Sequence, residues 1–214
     1  MTEQFRLIDS IGSGNFGEVF MARDLALGAT RAVKLIPIRM LDDPDDFFAE
    51  AAKLNELAHD NVVRVYSAGP YGDNSIYIAM EFLAQGSASR AAAGGFVPPR
   101  HAWRLSIDMC RGLEYLHQNG FVHRDVKPSN LLISDSGRGK LSDFGLVARM
   151  GAGGEASAAG YRFHLAPELL HGGASGVATD VFATGVTMYR LFNGDDLLPK
   201  YENFDELDQM ILSG

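Results

Sequence analysis

The stretch that most constrains this chain is HRDVKPSN, residues 123–130. It sets an acid, Asp125, a cation, Lys127, and an amide, Asn130, at fixed offsets. A helical pattern leads into it over residues 99–119, with Leu105, Met109, Leu113 and Leu116 on one face and Gly120 as its stop. A short apolar strand, Leu131–Ile133, leads out. HRD alone reads as a capped loop with surface charges. With KPSN attached and a strand behind it, the segment reads as a loop that gathers several polar chemistries in one place, and any fold for this chain must hold that loop still.

Composition supplies the means. At 46% hydrophobic and 21% charged, the chain carries enough apolar material for one or two compact cores. The single cysteine, Cys110, excludes an internal disulfide framework and a multi-cysteine metal site, and points to a reducing, cytoplasmic compartment. No apolar run approaches the ~20 residues that span a bilayer, and the N-terminus lacks a signal-peptide layout, so no membrane segment is expected. A net charge of −8 with scattered Lys and Arg argues against nucleic acid as a partner.

Before the loop, two strand-like segments, residues 5–11 and 18–23, flank GSGNFG at 12–17. Gly12, Gly14 and Gly17 let backbone N–H groups approach a phosphate chain that a Cβ would obstruct, and Val19 behind them can cover an apolar ring. A flexible turn or a dinucleotide fingerprint would also fit a lone glycine loop, but the latter wants a helix next, and EVFMAR has strand character. A third strand over residues 30–36 carries Lys34 between Val33 and Leu35, where burial calls for an anionic partner unless the lysine snorkels to water. Asp43 followed by Pro44 predicts a capped helix over 44–58 with Phe47, Ala51, Leu54 and Ala58 as its apolar stripe. Glu50 lies beside that stripe and is the natural partner for Lys34, a solvated edge carboxylate being the alternative. Residues 59–69 and 75–83 complete five strands around one helix.

Beyond the loop, DFG stands at 143–145 with Leu141 and Leu146 as apolar flanks. Residues 146–165 are rich in Gly and Ala, carry hydroxyls only at Ser157 and Tyr161, and run into Ala166, Pro167 and Glu168. Residues 179–192 are apolar nearly all round, which predicts a buried helix opened by Asp180, and Phe204, Leu207 and Ile211 mark one more amphipathic helix.

With the glycine loop, Lys34, Glu50, HRDVKPSN, DFG and APE in this order, the chain resembles the protein kinase family, of the Hanks Ser/Thr type, over residues 5–211. The resemblance implies an α+β, bilobal fold. Residues 1–83 would form an N-lobe with a five-stranded antiparallel sheet and one helix, and 84–214 a mainly helical C-lobe lacking its last helices. It implies a Ser/Thr protein kinase that transfers the γ-phosphoryl of Mg-ATP to protein hydroxyls and phosphorylates itself, with ATP and Mg²⁺ as the small partners and a protein as substrate. In that scheme Asp125 takes the hydroxyl proton, Lys127 holds the transferred group, and Asn130 and Asp143 bind magnesium. Lys34, braced by Glu50, completes the catalytic set. Gly12, Gly14, Gly17, Val19, Ala32, Met80 as gatekeeper, the backbones of Glu81 and Leu83, and Leu132 as floor hold the nucleotide. Arg124 would capture a phosphate on Ser157, added in trans within a transient homodimer. Two departures stand out: Tyr161 occupies the position where the family usually has threonine, and no arginine beyond residue 190 is there to pair with Glu168. Tyr161 and the abrupt end of the helical lobe favour, as the alternative, a pseudokinase-like nucleotide-binding scaffold or interaction module; a small-molecule kinase of the same fold is a second alternative, which usually lacks a segment ending in APE.

Overall fold

The computed structural model describes residues 4–14, 17–41, 43–92, 97–143, 164–194 and 200–213, without the side chains of residues 14, 44, 46, 50, 92 and 204. The chain forms two compact units, one from the residues up to His59 with Val63–Leu83, the other from Asp60–Val62 and the described residues from Ala84 onward.

In the first unit, β1 (Phe5–Gly14), β2 (Gly17–Asp24), β3 (Thr30–Pro37), β4 (Val65–Tyr71) and β5 (Ser75–Glu81) form one antiparallel sheet in the order β1-β2-β3-β5-β4. The strands form because side chains alternate between two apolar faces. One face buries Phe5, Ala22, Val33, Tyr77 and Ala79, with the Phe5 and Tyr77 rings edge to face at 5.2 Å. The other carries Ala32, Ile36, Ile76, Ile78 and Met80, all buried.

Helix α1 (Pro44–Glu56) starts as the sequence predicts: Asp45 N–H donates to Asp43 Oδ1 at 2.8 Å, and Phe47 N–H to the Asp43 carbonyl. Phe47, Ala51 and Leu54 bury its stripe. Ala58, expected to continue it, is exposed, because the helix ends at Glu56 and Leu57 turns inward instead.

The strand expected from residue 59 begins only at Val65. Asp60–Val62 is drawn into the second unit, where Leu141 N–H donates to the Asn61 carbonyl, the Asn61 amide to Gly139 O at 2.9 Å, and Val62 bridges Leu141 in parallel. Helix α3 makes room for this strip: a Cβ at Gly112 would sit 2.5 Å from the Asn61 carbonyl oxygen.

The second unit contains α2 (Ala88–Ala92), α3 (Pro99–Gln118), the hairpin β6 (Leu131–Ile133) and β7 (Gly139–Leu141), α4 (Pro167–Leu170), α5 (Val177–Asn193) and α6 (Phe204–Ser213). Helix α3 buries the predicted stripe, Leu105, Met109, Leu113 and Leu116. It also buries Asp108, whose carboxylate takes Arg138 Nη2 at 2.6 Å, Arg138 Nε at 2.9 Å and Gly139 N–H at 2.9 Å, fastening α3 to β7.

Helix α5 differs from expectation. It is buried on one face only, through Thr179, Asp180, Ala183, Thr184, Thr187 and Leu191, while Val177, Val181 and Tyr189 are exposed. On its inward face Asp180 and Thr187 meet loop backbone at His123, Arg124 and Val126, while the Thr179 and Thr184 hydroxyls donate to the Gly176 and Asp180 carbonyls of the helix and its cap.

Candidate active site

On the first unit, register aligns the predicted nucleotide contacts. Val19 lies opposite Lys34, Met21 opposite Ala32, and Ala32 opposite Met80, so Val19, Ala32, Lys34 and Met80 share one sheet face. Lys34 is only 8% exposed there, and an ammonium among Val, Ala, Ile and Met side chains is retained only against an anion. The partner expected for it, Glu50, sits in α1, and its side chain is outside the described residues. Glu81 N–H donates to Arg64 O at 2.9 Å, so that N–H is not a donor for a bound ring, and half-buried Leu83 follows the end of β5.

The expected loop glycines differ in what fixes them. Gly17 has φ +128°, and a Cβ there would collide with the Leu35 carbonyl oxygen. Gly12 is exposed, and a Cβ would meet only Val19 Cβ, at 3.9 Å. Gly17 therefore answers to the sheet, while Gly12 has room that nothing in the described first unit demands. Gly14 pairs with Gly17 across the β1–β2 ladder.

On the second unit, residues 123–130 converge as the sequence predicts. Lys127 Nζ lies 2.7 Å from Asp125 Oδ2, and Asn130 Nδ2 donates to both Asp125 Oδ2 and the Asp125 carbonyl at 2.8 Å. Lys127 and Asn130 thus hold the carboxylate through the same oxygen. The same contacts orient Asn130: its amide nitrogen faces two oxygens, so its Oδ1 points elsewhere, in a residue only 6% exposed. Ser142 ties the following strand back, its N–H and hydroxyl both donating to Asn130 O, at 2.9 and 3.1 Å. Asp143 comes next, partly exposed, with φ +60°. Leu132, half-buried in β6, pairs with Lys140 and bridges Ser87.

The loop is strained and clamped. Arg124 has φ +67°, a left-handed conformation that costs a non-glycine residue roughly 1 kcal/mol or more. Asp180, 1% exposed at the start of α5, offsets this: Oδ2 accepts from His123 N–H at 2.8 Å and Oδ1 from Arg124 N–H at 2.7 Å. His117 Nε2 lies 2.7 Å from the same carboxylate. His123 is fully buried, with Nδ1 accepting from Asp125 N–H at 3.3 Å. Burial pushes its imidazole below the ordinary range, although the Asp180, Asp125 and Asp143 carboxylates pull the other way.

Ser157 and Tyr161 lie outside the described residues. Glu168 is exposed in α4 and makes no ion pair among the described residues, whereas Arg190 instead meets His164. Sequence reasoning missed the Asn61 strip, the Asp108–Arg138 pair and His164. The one signal for the first was Gly112 inside an otherwise good helix, a position that usually marks a close approach.

Comparison with known proteins gives the family. The Protein kinase domain family profile matches residues 5–213. The chain is 32% identical over 211 residues to the serine/threonine-protein kinase PknB of Mycobacterium leprae, covering 91% of this chain and 33% of that protein. It is 33% identical over 207 residues to the probable serine/threonine-protein kinase PknB of Corynebacterium glutamicum, covering 91% of this chain and 32% of that one. The chain therefore spans about a third of the length of these curated relatives. The crystal structure of Rad53 1–466 in complex with AMP-PNP superposes with a TM-score of 0.84 at 28% identity, covering 99% of this chain and 54% of that one.

Proposed function

Because the chain belongs to the protein kinase domain family and has its fold, we propose that it transfers the γ-phosphoryl group of ATP to serine and threonine hydroxyls of proteins. The observation that carries this reading is the Asp125 carboxylate held between the Lys127 ammonium at 2.7 Å and the Asn130 amide at 2.8 Å. A substrate hydroxyl oxygen bonds to the γ-phosphorus as the bond to the β-phosphate oxygen breaks, and its proton passes to Asp125. Asp125 mainly orients that oxygen, while Lys127, a fixed cation, meets the charge that grows on the transferred group.

The donor set suits Mg²⁺, a hard ion that takes a few protein oxygens and keeps water and phosphate as its other ligands. Asn130 Oδ1, the atom its own hydrogen bonds turn outward, and the Asp143 carboxylate would hold it. Bound there, the ion neutralises phosphate charge. On the first unit, Lys34 and the backbone of residues 12–17 are the groups we assign to the phosphates. Val19, Ala32, Met80 and the backbones of Glu81 and Leu83 are assigned to the base, and on the second unit Leu132. Exposed Arg124 is assigned to capturing a phosphate on Ser157.

The test is transfer from γ-labelled ATP and Mg²⁺ to a mixture of denatured proteins, followed by phosphoamino-acid analysis. Label on serine and threonine is expected, and Asp125→Asn should lower kcat by roughly 10²–10⁴, the usual span for a general base. Label mainly on tyrosine, or none from folded wild type, would overturn the assignment.

A further inference from the structure

A chain of side chains that the transfer step does not use ends at the catalytic loop. His164, just before α4, is 8% exposed, and its Nε2 lies 2.8 Å from Arg190 Nη1 on α5. A guanidinium donates and never accepts, so Nε2 must be the acceptor and the ring proton must sit on Nδ1. Nδ1 lies 3.5 Å from Thr187 Oγ1, and Thr187, fully buried, reaches the Val126 carbonyl at 3.4 Å. The donors then run one way, from Arg190 to His164 to Thr187 to the Val126 carbonyl. Val126 is itself 1% exposed and sits between Asp125 and Lys127.

Resting on the kinase reading above, we propose that His164 is a positioning residue for phosphoryl transfer: in the Nδ1–H form imposed by Arg190, it holds Thr187 against Val126 and so fixes the Val126–Lys127 peptide, between the Asp125 and Lys127 side chains. Burial first, and then the charged groups that bear on the ring, the Arg190 and Lys127 cations, push it down to about 4, so the ring is neutral at pH 7. The ring also hydrogen-bonds the backbone of Ala183 and Val126, the second a direct tie to the residue that Thr187 reaches.

The direction of the chain makes it testable. His164→Asn keeps a donor at the δ position, and His164→Gln keeps an acceptor at the ε position but loses that donor. His164→Gln is expected to lower kcat at least tenfold with KM for ATP within twofold, while His164→Asn stays within about threefold of wild type. Thr187→Val should match His164→Gln, and the double variant should lose no more than either alone. Amide exchange at Lys127, measured on the same proteins, should quicken in His164→Gln and Thr187→Val and not in His164→Asn, whether or not transfer is detected. Equal losses for Asn and Gln, additive losses, or unchanged exchange would each overturn the positioning role. If wild type transfers nothing yet the exchange pattern appears, the kinase reading falls and the positioning chain stands.

Discussion

At Gly17 one hydrogen atom decides whether β2 can run beside β3. Its φ of +128° and the Leu35 carbonyl in the path of any Cβ predict that Gly17→Ala costs about 2–4 kcal/mol of stability, read by chemical denaturation. Gly12→Ala has room and should change stability by about 0.5 kcal/mol or less, yet weaken binding of an ATP analogue in a calorimetric titration. Equal behaviour of the two variants would contradict this division between a glycine the sheet needs and one the ligand needs. Both looked alike in the sequence, since a glycine records permission without saying who asked for it. His164 was illegible for another reason: nothing in its neighbours predicts a partner as far along the chain as Arg190.

At the scale of elements, the expected helices and strands formed where periodicity and caps agreed. Asp43 caps α1, and Leu105, Met109, Leu113 and Leu116 line α3. Expectations failed where a segment answered to distant backbone. Residues 60–62 look like the start of a strand, but Asn61 is claimed by β7, and α5 reads as apolar all round, but its buried face carries Thr179, Asp180, Thr184 and Thr187. Asp180 joins α5 to the loop through two backbone N–H groups and His117. Leaving such buried donors unsatisfied costs roughly 1–3 kcal/mol each, so Asp180→Ala should lower stability by about 3 kcal/mol or more. It should also speed amide exchange at His123 and Arg124 ahead of the α3 core. Uniform exchange across the unit would argue against a local clamp.

For the molecule as a whole, two buried histidines contribute to the response to acid. Both His123 and His164 titrate lower in the folded chain than in the unfolded one, where imidazoles take protons near pH 6.5. Their stabilising share is therefore full above about pH 6.5 and drains away as pH falls, His164's being spent near pH 4. For His164 the loss is on the order of 3 kcal/mol. Denaturation midpoints should drop over that window, and His164→Asn should flatten the drop; a midpoint constant from pH 7 to 4 would count against both assignments. No helix among the described residues is long and apolar enough to cross a membrane.

The Asp180 clamp also says something about timing. During synthesis the ribosome releases His123 through Asn130 well before α5, so a nascent chain holds all the chemistry of the loop before it holds the carboxylate that tolerates Arg124 at φ +67°. Until α5 emerges and folds, the loop has no reason to keep that shape. The shape of the loop is therefore completed by the late arrival of a helix and not by residues 123–130 alone.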